Sequence, residues 1–177
     1  MSEQPHLRRP SSRYRLSFVD AVAEFGEEGP SGRTRSDQDL SAYDDWSAPA
    51  GFDSYVRAIT ELALDEAELP AGLVPSTRLW WTRGDDFLGR LDVRHTLTPA
   101  LLEVGGHVGY AVRPACRRQG HATAMLAEGL VVARALGLER VLVTTDVDNV
   151  GSRRVITKNG GELEDQRGQK LRYWIET

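Results

Sequence analysis

The chain has 177 residues, which fits one domain with a sizeable core, and its 22 Lys and Arg stand against 26 Asp and Glu for a formal net charge of −4. Hydrophobic residues make up 40% and charged residues 27%, ordinary globular usage that excludes a disordered chain, and the mild acidity argues against nucleic acid as the main partner. No stretch reaches the ~18 uncharged apolar residues of a membrane helix, and no apolar run near Met1 resembles a signal peptide. The single Cys116 allows no intrachain disulfide, so a soluble, cytoplasmic protein is expected.

Residues 1–15 are polar, and the first of them are expected to be loose. From Ser17, Phe18, Val22 and Phe25 fall at helical spacing, and the Gly26–Gly32 segment should end that helix. Residues 33–51 have no period and read as a loop. A second helix is expected from Phe52 to Leu69, stopped by Pro70, Gly72 and Pro75. Arg78–Arg83 and Phe87–Arg94 then form a hairpin about Gly84-Asp85-Asp86. A third strand is expected from Leu102 or Glu103 to Val112. Its glycines, Gly105, Gly106 and Gly109, suggest a bulge or the close approach of a backbone or ligand.

A basic loop, Arg113 to Gly120, leads to a helix with Ala122, Met125, Leu126, Leu130, Ala133 and Leu136 on one face and Gly137 as its stop. Val141–Thr145 is a β-branched strand. Asn149 caps a short helix carrying Ser152, Val155 and Ile156, which Asn159-Gly160-Gly161 terminates. Two strands near Glu162–Asp165 and Lys170–Ile175 flank an Arg167-Gly168 turn. The order α-α-β-β-β-α-β-α-β-β describes one mixed α/β domain.

Arg113, Arg117 and Arg118 follow a strand with no acid among them, and Gly120 opens a helix. A helix N-terminus presents unpaired N–H groups and about half a positive charge, so phosphate fits there. Gly120 admits a close anion, and small Ala122 keeps the first turn clear. The same pattern also fits a strand-to-helix turn with a solvated basic edge. Acids gather at Asp37, Asp39, Asp44, Asp45, Asp53, Asp65, Glu66 and Glu68, either as solvated surface or as a wall attracting a cationic substrate.

Other chemistries find little support. No histidine or acid is spaced to activate Cys116 as a nucleophile. His6, His95, His107 and His121 have no metal-ligand spacing, and no metal is expected. Neither glycine-rich nucleotide signature occurs. Trp80, Trp81 and Trp174 fit core at least as well as a pocket.

The run Arg117-x-x-Gly120-x-Ala122, preceded by Val112-Arg113-Pro114, resembles the Gln/Arg-x-x-Gly-x-Gly/Ala signature of the GNAT superfamily of acyl-CoA-dependent N-acyltransferases. Asn149-x-x-Ser152-x-x-Val155-Ile156-x-x-Asn159-Gly160-Gly161 is similar to that family's second conserved helix. Gly105 to Tyr110, Lys158 to Gly161 and Arg172 to Ile175 look like a bacterial branch of predicted acetyltransferases. The resemblance spans about residues 78–175. It implies a central, mostly antiparallel sheet flanked by helices, with two strands splayed at the cofactor site, here those ending at Val112 and running through Val141–Thr145. Residues 17–75 would then build the acceptor side of a single domain covering 1–177.

The resemblance also implies acetyl-CoA as co-substrate. Backbone groups of Tyr110, Ala111 and Val112 would bond the pantetheine. Amides around Arg118, Gln119, Gly120, His121, Ala122 and Thr123 would hold the pyrophosphate, with charge from Arg117 or Arg118. Asn149 and Ser152 would lie toward the thioester. The acceptor would be a small-molecule or protein amine. Family members are often dimers, although no residue here marks an interface. A tyrosine commonly found seven residues after the asparagine is replaced by Ile156, and the usual strand glutamate aligns near Gly106. Glu103 or His107 is therefore the expected base, with Tyr173 as a more remote acid and His95 nearby. The alternative is a module that binds or senses acyl-CoA without catalysis.

Overall fold

The computed structural model describes residues 3–28, 45–64, 69 and 73–177. In chain order these form β1 (His6–Arg8), a 3-10 turn (Ser12–Tyr14), α1 (Arg15–Glu27), α2 (Pro49–Glu61), β2 (Ser76–Arg83), β3 (Asp86–Arg94) and α3 (Pro99–Glu103). There follow β4 (Val108–Val112), a 3-10 turn (Pro114–Cys116), α4 (His121–Ala135), β5 (Arg140–Asp146), α5 (Val150–Lys158), β6 (Glu162–Arg167) and β7 (Lys170–Glu176).

The strands make two antiparallel sheets, β1-β2-β3-β4 and β5-β7-β6. Residues 6–8, expected to be loose, pair instead with β2, Leu7 lying opposite Trp81. The third strand of the first sheet starts at Val108, and Glu103 belongs to α3. Thr98 and Pro99 explain that helix. The Thr98 hydroxyl accepts the Leu101 N–H at 3.2 Å, and proline's missing N–H costs nothing at the first helical position. Helix α1 continues through Gly26 to Glu27, and α2 starts at Pro49, three residues before the expected Phe52. Gly137, at φ +85, ends α4 as expected: Gly137 N–H reaches Arg134 O, and Leu138 N–H reaches Ala133 O.

Adjacent β2 residues point to opposite faces, which divides the core. On one face, Phe18 stacks on Trp80 at 4.9 Å and meets Phe87, Phe52 and Tyr55 within one aromatic cluster carried by α1 and α2. On the other, Trp81, Leu88 and Leu91 pack beneath Met125, Leu126 and Ala133 of α4, and this core runs on to Val141, Val143, Tyr173 and Ile175 of the second sheet. Burying each large side chain contributes about 1.5–3 kcal/mol. Ile156 is fully buried here, one flank of α5 facing the core.

Among the described residues the two sheets meet at one end only. His107 N–H donates to Leu142 O at 2.7 Å, and Leu142 N–H donates to His107 Nδ1 at 2.9 Å. Gly105 N–H adds a bond to Thr144 Oγ1 at 3.0 Å. A Cβ on Gly106, whose φ is +62, would collide with Leu142 O, so only glycine permits the approach. Beyond this junction, β4 makes no ladder with β5 among the described residues, and its second edge is left without a neighbouring strand.

The His107 ring is buried with Nδ1 already accepting, so its proton sits on Nε2. Burial, assisted by Arg94, holds its pKa below the ordinary histidine value. The unfolded chain takes up this proton near pH ~6.5, before the folded chain does, so stability present above that pH is lost as the pH falls toward the folded value. Urea unfolding as a function of pH should show that decline in the wild type. His107→Leu should flatten it, while orphaning the Leu142 N–H at a cost of about 1–3 kcal/mol at neutral pH.

Candidate functional site

The loop between β4 and α4 is held from a distance. Arg113 pairs with Glu24 of α1 at 2.7 Å, and the other Glu24 oxygen accepts the Ala115 N–H at 3.1 Å. The Arg113 guanidinium holds the Glu24 carboxyl below the usual carboxylate range. Arg117 grips Glu28 with two nitrogens, one of them at 2.9 Å, and its Nε donates to Val112 O at 3.1 Å. Two of the three arginines that looked unopposed in sequence are thus neutralised by Glu24 of α1 and by Glu28, which caps its C-terminal end. Arg118 is exposed and makes no ion pair among the described residues. Its φ of +60 and the +86 of Gly120 turn the chain sharply into α4.

The start of α4 is bare. Gly120 offers no side-chain cap, and the first turn carries no acid. By contrast, Asn149 caps α5, its Oδ1 accepting the Ser152 N–H at 3.0 Å. His121 turns its ring inward, where Nδ1 accepts from Trp81 Nε1 at 3.2 Å, and burial lowers its pKa. Thr123 N–H and Ala124 N–H both donate to Gly120 O, at 3.1 and 3.2 Å, which leaves the N–H groups of His121 and Ala122 to face an anion.

A cleft of about 730 Å³ opens between β4, the start of α4 and α5. Tyr110, Ala111, Val112, Arg117, Arg118, Gly120, His121, Ala122, Thr123, Asn149 and Ser152 line it, which is eleven of the twelve residues expected to hold the cofactor. Gln119 is the exception, its side chain donating to Ala115 O at 3.4 Å. The Tyr110 hydroxyl bonds the Ser152 hydroxyl at 2.8 Å across the cleft. Burial pushes the Tyr110 phenol up to about 12 against the opposing pull of that hydrogen bond.

Glu103 and His107 do not line this cleft. Glu103, at the end of α3, pairs with Arg167, and His107 forms the sheet junction. Tyr173 is buried in β7, and His95 Nε2 lies 2.9 Å from Thr77 Oγ1. Of the early acids, Asp53 accepts from Ser12 and Asp45 is exposed, while Asp37, Asp39, Asp44, Asp65, Glu66 and Glu68 lie outside the described residues. Among the described residues no cluster of His, Cys, Asp and Glu could hold a metal ion. The structure adds Glu28, Arg154 and Lys158 to the lining. The last two sit four apart on a helix beginning at Asn149, a spacing the sequence already displayed.

A split antiparallel sheet with an uncapped helix at its mouth leaves an elongated cleft with N–H donors at one end. The family is explicit: residues 20–162 match the model of the acetyltransferase (GNAT) domain, and the chain belongs to that family, whose chemistry is acetyl transfer from acetyl-CoA. No curated protein matches the sequence significantly. RimJ of Mycobacterium smegmatis, solved with CoA-disulfide, superposes with a TM-score of 0.66 at 18% identity, covering 100% of this chain and 88% of its own. RimL, a ribosomal α-N-protein acetyltransferase solved with coenzyme A, gives 0.61 at 15% identity, with 96% of this chain and 92% of its own covered. PaiA N-acetyltransferase from Thermoplasma acidophilum, also with coenzyme A, gives 0.58 at 10% identity, over 98% and 99%. At these identities the likeness establishes the fold.

Arg118 combines a strained backbone with a free charge, so two substitutions separate the two. Arg118→Gly should leave the melting temperature equal or higher, because relief of about 1–2 kcal/mol of left-handed strain offsets the added chain freedom. Arg118→Ala keeps the strain. Both should weaken CoA binding by a similar factor, read by calorimetry.

Proposed function

We propose that this protein is an N-acetyltransferase that moves the acetyl group of acetyl-CoA to a primary amine by direct attack, donor and acceptor being bound together. The observation that carries the reading is the free edge of β4 beside the bare start of α4. Edge-strand amides and carbonyls of Tyr110 and Val112 suit the amide groups of a pantetheine arm, as they would suit an added strand, while Ala111 between them turns its backbone groups to β3. The N–H groups from Gly120 to Ala122 suit the pyrophosphate, with Thr123 beside them and Arg118 supplying charge. Asn149, whose Oδ1 is spent on its cap, keeps its amide N–H₂ for the same cleft. Gly109, with open space where a Cβ would stand, leaves the strand clear.

The donor supplies a thioester whose carbonyl carbon accepts the amine: a C–N bond forms, the C–S bond breaks, and the sulfur must gain a proton. An alkylammonium with pKa ~10.4 is inert until it loses a proton, so the acceptor must arrive or become neutral. In our reading, strand amides near Tyr110 polarise the carbonyl, and the Ser152 hydroxyl, backed by the Tyr110 phenol, relays to the departing sulfur the proton that the attacking nitrogen gives up. Glu103 and His107 are left out of this scheme, their side chains being committed to Arg167 and Leu142. The acceptor side falls to residues 17–75, and a small-molecule amine or a protein amine both fit the scheme. We assign the enzyme to the cytoplasm.

Thiol release from acetyl-CoA with a panel of amines, beside calorimetry with CoA, tests the reading. Wild type should bind CoA and release thiol with at least one amine. Gly120→Glu places a like charge in the anion seat and should weaken CoA binding by about tenfold or more, removing turnover. CoA binding without turnover of any amine would favour the non-catalytic module, and absence of CoA binding would overturn both readings. Tyr110→Phe should lower kcat by about tenfold or more while the Kd for CoA stays near wild type.

A further inference from the structure

The reaction scheme leaves His107 without a part, although its imidazole is buried at the point where the two sheets separate. Among the described residues three bonds tie the segment before β4 to β5. Two of them, His107 N–H to Leu142 O and Gly105 N–H to Thr144 Oγ1, use groups that do not titrate. The third, Leu142 N–H to His107 Nδ1, exists only while the ring is neutral, because a protonated Nδ1 is itself a donor. Protonation sets two donors against each other and leaves an N–H of the fully buried Leu142 without its acceptor.

The surroundings do not compensate an imidazolium. Arg94 of β3 donates to Gly105 O and Gly106 O beside the ring and adds like charge. Trp174 of β7 lies 6.1 Å away, ring to ring, and Arg140 of β5 sits over that indole at 4.4 Å. Glu103 of α3, the acid closest in sequence, is paired with Arg167. His107 does not line the cleft, yet the cleft depends on the junction it makes. The outward backbone groups of β4 begin at Tyr110, three residues beyond the ring, and the facing wall, Asn149 and Ser152 at the start of α5, follows directly from β5. The angle at which the two walls part is therefore set where His107 meets Leu142.

We propose that His107 is a positioning residue for the cofactor: its neutral imidazole fixes the β4–β5 junction, and protonation of this one side chain loosens the junction and lowers the affinity for CoA while the rest of the fold stands. This rests on the acetyl-CoA reading above. The sign follows from the hydrogen bond. The tight-binding form carries the neutral ring, so affinity is complete above the folded-state pKa of His107 and is lost as the pH falls through it. Burial and Arg94 hold that pKa below the ordinary histidine value, which confines the loss to the acid side of neutrality. CoA in turn favours the neutral ring and resists its protonation.

Calorimetric titration of the full chain with CoA at a series of pH values decides the matter without needing the acceptor. Below the folded-state pKa the wild-type Kd should rise by up to about tenfold per pH unit, since only the neutral fraction binds tightly. The phosphate of CoA titrates near pH ~6 in every sample, so the quantity read is the excess loss in wild type over His107→Asn. That variant offers an amide oxygen to the Leu142 N–H and cannot titrate, and it should lack the excess. His95→Asn removes another histidine of lowered pKa, bonded to Thr77, and should keep it. In wild type without ligand, hydrogen exchange at the Leu142 amide should lose protection over the same pH range while β2 and β3 keep theirs. The same pH dependence in wild type and His107→Asn overturns the proposal, as does global unfolding of wild type, read by circular dichroism, over the range where affinity falls; either leaves the acetyl-CoA reading in place. Should His107→Asn fail to fold, the exchange measurement decides alone, and retained protection at Leu142 overturns the proposal. Failure of wild type to bind CoA at neutral pH overturns both readings.

Discussion

His107 and Leu142 exchange two hydrogen bonds, one through backbone and one through the imidazole, and at that point a single sheet becomes two. Backbone N–H and C=O groups buried without partners are costly, so a strand released from its neighbour must face solvent or a ligand that supplies the missing bonds. Tyr110 and Val112 are in that position. β3 satisfies one edge of β4, and the other edge opens on the cleft. The aromatic core on one face and the α4 core on the other keep the released strand straight and in place.

Charge is distributed along the cleft by the same economy. The loop before α4 would be a strongly basic patch if its arginines stood alone. Glu24 and Glu28 cancel two of them and leave positive potential at Arg118 and along α5. A fully basic loop would attract any polyanion. In the proposed cofactor cleft, a loop half neutralised by fixed acids, next to directional N–H donors, would select for phosphate geometry as well as for charge.

Much of this was legible in the residues because it is local. Helical spacing and caps mark α4 and α5, β-branched runs mark β5, and the Arg117-x-x-Gly120-x-Ala122 resemblance points to residues of which eleven in twelve line one cleft. The misses are non-local or overlooked. Three residues of β1 have no strand signal of their own and are ordered by Trp80 to Thr82 opposite them. Thr98-Pro99 was a readable helix start, and missing it extended the next strand back over Glu103. Glu24 and Glu28 could not be tied to their arginines from spacing, since the pairs are 89 residues apart. The glycines before Tyr110 serve two ends: Gly106 admits the protein's own Leu142, whereas Gly109 faces open space.

The ion pairs between α1 and the β4–α4 loop also decide when the cleft exists. The two acids lie in an early helix and at its C-terminal cap, and their arginines follow 89 residues later, so this loop geometry cannot form until both ends of that interval have been synthesised and brought together. Contacts of such long separation are among the slow steps of folding. Fraying of α1 would release Arg113 and Arg117 and dissolve the seat with it. A ligand in the cleft consequently stabilises α1 and the aromatic core behind it, and its binding energy is felt by the whole domain during unfolding.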